Sequence, residues 1–156
     1  MKIGITGCAG RMGRMVTAAV AGTEGCVVAA GSETAGSSAL GQDIASLAGL
    51  PGCGAFALAD ANAVFRASDA VIDFTTPAAA LVHARLAAET GHALVIGTTG
   101  LSSEHVAALH EAARTVPVVR AANFSVGVNV ILGLAREAAR ILGPDYDIEI
   151  LEMHHR

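Results

Sequence analysis

Three glycines spaced three apart, in the run Gly7-Cys8-Ala9-Gly10-Arg11-Met12-Gly13, follow a short apolar segment and lead directly into a stretch with helical periodicity. In that context each glycine has a distinct task. Gly7 permits a tight turn, Gly10 lets the backbone approach a pyrophosphate with no Cβ in the way, and Gly13 allows the helix to pack closely on the strand. The first amides of the helix have no partner within it and would face the anion. Twenty residues past Gly13 stands Glu33, at the end of the second apolar run. A carboxylate there can accept hydrogen bonds from the hydroxyls of an adenosine ribose. Taken singly, the glycines could be turn residues and Glu33 a solvated acid, but strand, loop, helix and acid all fall in register. Arg11 is either a surface residue of the helix start or a cation beside the phosphates, and the second fits the loop better.

Other residues able to do chemistry sit where further strands should end. Ligands of open α/β sheets lie beyond the carboxyl ends of the strands. Phe74-Thr75-Thr76, Gly97-Thr98-Thr99-Gly100 and Ala121-Ala122-Asn123-Phe124 occupy such places, and each could also be a plain turn. His83, His92, His105 and His110 have no acidic or cysteine partner at ligand spacing and read as exposed helix or loop residues. His154 and His155 are adjacent. In a regular strand they would face opposite ways and could not share a metal, whereas in a strand-end loop both could reach a substrate. From residue type alone they are either a polar terminus or an acid/base pair.

The elements that must position these residues alternate in a regular way. Apolar runs at Lys2–Thr6, Cys26–Ala30, Ala70–Phe74, Ala93–Ile96 and Pro117–Arg120 have the length and composition of strands buried on both faces. Helical patterns separate them. Met12, Val16 and Val20 recur at four-residue spacing, Thr76 and Pro77 open a second helix, and Ser102 with Glu104 opens a third that runs to Arg114. A last helix is expected over Val130–Leu142, stopped by Gly143-Pro144, and a final strand over Asp147–Met153. Gly31–Gly54 reads as loop with one short helix near Asp43–Ala48, and no element is assigned from there to Ala70. The expected fold is an α/β, Rossmann-type parallel sheet with helices on both faces.

Composition narrows the function classes. The chain of 156 residues suits one core, and its apolar fraction of 53% is rich in alanine rather than in the large aliphatics of a membrane span. Too few residues separate Lys2 from Cys8 for a lipoprotein signal. Three widely spaced cysteines argue against a disulfide framework or a zinc site and for a reducing cytoplasm. A net charge of −4 and 3% aromatic residues leave nucleic-acid binding without a surface. No metal and no membrane is expected. A short-chain dehydrogenase would need a lysine four residues after its tyrosine; after Tyr146, the only tyrosine, that position is Ile150.

Several strings together resemble one family. They are Gly7–Gly13, Gly-Ser-Ser-Ala-Leu-Gly-Gln-Asp at 36–43, Ile72–Thr75, Val95–Gly100, Ala122–Asn129 and Glu152-Met153-His154-His155-Arg156. In order and over the whole chain they resemble bacterial 4-hydroxy-tetrahydrodipicolinate reductases, also called dihydrodipicolinate reductases. The resemblance implies reduction of a cyclic dicarboxylate imine by NADH or NADPH in diaminopimelate and lysine biosynthesis. It implies cofactor contacts at Gly7, Cys8, Ala9, Gly10, Arg11, Met12, Glu33, Gly97, Thr98, Thr99, Ala121, Ala122, Asn123 and Phe124. His154 would be the acid/base residue and His155 a ligand of a substrate carboxylate. A dinucleotide domain over 1–125, the beginning of a substrate domain over 126–156, and a homotetramer of the full-length protein are implied as well. A non-catalytic dinucleotide sensor on the same fold is the alternative.

Two departures from the family pattern matter. Its members continue past the histidines with a lysine and a Ser-Gly-Thr segment, and Lys2 is the only lysine here. The chain is therefore expected to be a fragment that turns over little substrate alone. Some relatives carry an arginine beside the ribose-binding acid, where this chain has Thr34. Without that cation, and with Glu33 repelling a 2′-phosphate, NADH should serve at least as well as NADPH in a full-length version. A large NADPH advantage in kcat/KM would contradict this.

Overall fold

The protein is described from a computed structural model that covers residues 1–151 and 153. The chain divides into two compact units, one over residues 1–122 and one from Asn123 onward. The first unit contains strands β1 (Lys2–Thr6), β2 (Val27–Ser32), β3 (Ala57–Leu58), β4 (Ala70–Asp73), β5 (Ala93–Ile96) and β6 (Val118–Arg120). Between them run helices α1 (Arg11–Ala21), α2 (Ile44–Leu47), α3 (Ala61–Ala67), α4 (Pro77–Thr90) and α5 (Ser103–Ala112). All pairings are parallel, in the order β3-β2-β1-β4-β5-β6. Successive strands build outward to one side of β1 and then, from β4, to the other. The carboxyl ends of β1 and β4 thus mark the switch point where such sheets bind ligands.

Each face of the sheet is covered, as parallel strands require. On one face Val64 and Phe65 of α3, Ala80, Ala84 and Ala87 of α4 and Leu109 and Ala112 of α5 pack on Val71, Leu94 and Ile96. On the other, Val20 of α1 and Ile44 of α2 join Ile3, Ile5, Cys8, Ala55 and Ala57. Alanine in the contact stripe of α4 lets that helix lie close to its neighbours, which explains how so apolar a chain builds a core with few large residues. The same economy appears in β1, where a Cβ on Gly4 would come within 2.7 Å of Val64 Cγ1. Helix α3 therefore rests on the bare backbone of the central strand.

Several elements differ from the sequence expectation. The buried stripe of α1 is Gly13, Thr17 and Val20, with Met12 40% exposed, so the helix is turned from the Met12–Val16–Val20 face. The turn follows from Gly13 pressing on the preceding loop and from the Thr17 hydroxyl donating to the Gly13 carbonyl at 2.8 Å. Helix α3, of seven residues, and the two-residue β3 lie outside the sequence expectation because neither is long enough to show a period. Asp60, whose carboxylate accepts from the Asn62 amide, was the available signal for α3. His83 is buried rather than exposed: it lies on the Ala80–His83–Ala84–Ala87 stripe of α4, at i, i+3, i+4 and i+7.

The second unit contains helix α6 (Val126–Leu142), which starts four residues before the expected Val130 because Ser125 caps it by accepting from the Val128 amide. No strand forms over 147–151, contrary to expectation. A lone extended segment has no ladder to join, and among the described residues none pairs with it. No helix among the described residues is long and apolar enough to cross a membrane.

The core makes a direct prediction. Phe65 is fully buried, and Phe65→Ala should lower unfolding free energy by about 3–5 kcal/mol in urea titrations. Val126→Ala, at a position 79% exposed, should change it by less than about 0.5 kcal/mol.

Candidate functional site

At the end of β1 the chain turns through Gly7 at φ +65°, a conformation that disfavours any side chain. The Gly7 and Cys8 amides donate to the Ser32 carbonyl at 2.8 and 3.2 Å, tying the loop to the end of β2. Ala9 is held through both of its backbone groups. Its N–H donates to Glu33 Oε1 at 2.8 Å, and its carbonyl accepts from Arg14 Nε at 2.8 Å. A Cβ on Gly13 would run into the Gly7 carbonyl oxygen and lie 2.7 Å from the Cys8 Cα, so helix and loop can meet only with glycine at that place.

The remaining loop amides decide what the site can bind. The Gly10 amide donates to the Gly7 carbonyl, and the first α1 bond is from Arg14 to Gly10. That leaves the Arg11, Met12 and Gly13 amides as the first turn of a helix with no intrahelical partner. Helices α2 to α6 are each capped by a side-chain oxygen, from Asp43, Asp60, Thr76, Ser102 and Ser125 in turn, whereas α1 has none at Gly10. An uncapped helix start beside glycine backbone is a site for an anion.

A cleft of about 430 Å³ opens beside this loop. Its lining includes Gly7, Gly10, Glu33, Phe74, Thr75 and His83. Of the expected cofactor residues, the structure thus brings Gly7, Gly10 and Glu33 together. Arg11 and Met12 are exposed at the helix start, while the Cys8 side chain turns inward and is fully buried. Gly97, Thr98 and Thr99 follow β5, with Thr98 buried and Thr99 exposed. The Phe74 ring fills the space a Gly97 Cβ would need. Ala121 and Ala122 follow β6 in the first unit; Asn123 and Phe124 precede α6 in the second. His154 and His155 lie outside the described residues.

Sequence reasoning missed Asp73 and its pairing with His83. Asp73 is fully buried at the end of β4. Its Oδ1 accepts from the Thr75 amide at 2.8 Å, the Thr75 hydroxyl at 2.6 Å and the Thr98 hydroxyl at 3.5 Å, and its Oδ2 lies 2.7 Å from His83 Nδ1. Burial alone would favour the neutral acid, but the hydrogen bond with His83 and the donors of Thr75 outweigh it and hold the carboxyl below its ordinary range. The signal was the helical stripe of α4, which puts His83 on the inward face.

A six-stranded parallel sheet that reverses beside β1, with a glycine turn into an uncapped helix and a carboxylate past β2, defines a Rossmann-type nucleotide-binding domain. The chain belongs to the dihydrodipicolinate reductase family: the model of that family's N-terminal part, "Dihydrodipicolinate reductase, N-terminus", matches residues 1–124. Proteins named 4-hydroxy-tetrahydrodipicolinate reductase from Rhizobium meliloti and Cupriavidus necator are 44% and 47% identical over all 156 residues, which cover 64% and 58% of their lengths. The chain therefore spans about three-fifths of these relatives. In fold it is similar to dipicolinate-bound dihydrodipicolinate reductase from Paenisporosarcina sp. TG-14, with a TM-score of 0.73, 22% identity, and 88% of this chain and 53% of that one covered. An amine dehydrogenase from Mycobacterium smegmatis aligns at a TM-score of 0.63 and 20% identity, covering 77% of this chain and 38% of that one.

The buried loop cysteine gives this site a pH signature. Burial, and secondarily the Glu33 charge, push the Cys8 thiol from 9.0 up to about 11. Because the folded value is the higher one, the unfolded chain loses its thiol proton first. Stability tied to Cys8 is then complete below pH 9 and is lost between 9 and about 11, by up to about 2–3 kcal/mol. Urea midpoints at pH 8 and pH 10.5 should differ accordingly, and Cys8→Ala should remove that part of the difference.

Proposed function

We propose that the chain is the nucleotide-binding portion of a 4-hydroxy-tetrahydrodipicolinate reductase, which reduces a cyclic dicarboxylate imine in diaminopimelate and lysine biosynthesis. The observation that carries this reading is the uncapped start of α1 beside a glycine loop braced by Glu33. The Arg11, Met12 and Gly13 amides would hold the diphosphate of NADH or NADPH, with the Arg11 side chain beside it. Glu33, already fixed by the Ala9 amide, would accept from the adenosine ribose hydroxyls. Gly97–Thr99 and Ala121–Phe124 would line the path to the nicotinamide end. The cofactor supplies a hydride when bound.

The chain's own part in the reaction is to orient and to move protons. His154 would serve as the acid/base group, and His155 would bind a carboxylate of the substrate. Holding the reactants in a fixed relation and balancing charge that develops at the ring nitrogen are the contributions the family relationship supports. A cytoplasmic setting agrees with three unpaired cysteines. Assembly of the full-length protein as a homotetramer is what the family relationship suggests.

Calorimetry on residues 1–156 tests the reading. NADH should bind, and Glu33→Ala should weaken it by at least about tenfold, the scale of one lost charge-assisted hydrogen bond. Absence of heat from both reduced nucleotides would overturn it. In a full-length version, His154→Ala should abolish most turnover with little change in cofactor affinity; a sensor would show no dependence on His154.

A further inference from the structure

We infer that Asp73 is a positioning residue for dinucleotide binding and acts through His83, fixing the orientation and the proton of an imidazole ring in the cleft wall. This rests on the nucleotide reading above. No role in the proposed reaction requires a buried carboxylate at this position. An apolar residue would fill the space, and the Thr75 turn could be closed by a neutral acceptor. What a carboxylate adds is a fixed demand on its neighbours, because both of its oxygens accept and neither donates.

The geometry shows where that demand falls. Oδ1 is occupied by the Thr75 amide, the Thr75 hydroxyl and the Thr98 hydroxyl, so the carboxylate is anchored to the segments that follow β4 and β5. Oδ2 then faces His83 Nδ1 at 2.7 Å. Nδ1 must carry a proton to make that contact, and in the neutral ring this leaves Nε2 as an acceptor. His83 lines the cleft, its side chain keeps 9% of its exposure, and Nε2 has no partner among the described residues. The Phe65 ring, 6.2 Å away and tilted by 42°, limits the imidazole from the core side. Asp73 thus sets the hydrogen-bonding polarity that His83 presents to the nucleotide, much as a buried acid sets the tautomer of a histidine in other sites.

Asp73→Asn separates this role from packing, since it keeps shape and the acceptor toward Thr75 but offers an N–H to His83. The ring should then move its proton to Nε2. His83→Asn removes the cleft-facing nitrogen while retaining a donor toward Asp73. The experiment is ¹⁵N spectroscopy of the His83 ring in its neutral form, together with calorimetric titration of residues 1–156 with NADH and with 5′-AMP. We expect an Nδ1 proton in the unaltered chain and an Nε2 proton in D73N. Each single variant should weaken both ligands about tenfold, and D73N should add no further loss in the H83N background. An Nε2 proton in the unaltered chain, or an equal D73N loss with and without His83, overturns the inference. Should D73N not fold, the unaltered spectrum and H83N decide, and undiminished binding by H83N overturns it. If the unaltered chain binds neither ligand, the nucleotide reading itself falls and takes this one with it.

Discussion

The contact between the start of α1 and the loop after β1 governs the rest of the first unit. Helix and loop touch backbone to backbone, because a single methyl group at Gly13 would overlap the Gly7 carbonyl. That closeness aims the helix start at the end of the sheet instead of past it. It also turns Cys8 into the core, and the Arg11–Gly13 amides are left without intrahelical partners. Two charged side chains, Glu33 and Arg14, then hold the two successive peptides that flank Ala9. The loop is therefore built before any ligand meets it, and preorganisation of this kind lowers the ordering cost of binding.

On the far wall of the cleft the logic is electrostatic instead of steric. A buried carboxylate is costly unless it is fully partnered. Asp73 meets that condition by drawing donors from three separate places, and in doing so it joins the turn after β4, the turn after β5 and helix α4. The two walls differ in kind: one is rigid because nothing larger than glycine fits, the other because a charge must be satisfied.

How much of this could be read from residue order follows from the range of each interaction. The glycine turn, the acid past β2 and strands β1, β4 and β5 are visible as local patterns, since turn chemistry and apolar runs need only a few residues to declare themselves. Helix caps at Thr76 and Ser102 are equally local. The true face of α1 is not, because it is set by a glycine lying against a loop, and hydrophobicity does not register a close approach. The Asp73–His83 pair was hidden for a related reason: ten residues separate the partners, and only the placing of β4 against α4 makes them neighbours. The segment 147–151 misled in the opposite direction, as alternation of apolar residues marks a capacity for pairing and not a partner.

The position of β1 has a consequence for how the chain becomes folded. It is the first strand in the sequence and a central one in the sheet, hydrogen-bonded to β2 on one side and to β4 on the other, where Ile3 meets Ala70. During synthesis β2 arrives early, but β1 keeps a bare edge until residues 70–73 leave the ribosome, and Val64 of α3 must arrive before Gly4 is covered. An unpaired apolar edge invites association with other chains. The glycine turn that follows β1 is therefore tethered, until residues 70–73 have been made, to a strand that only its later neighbours can protect.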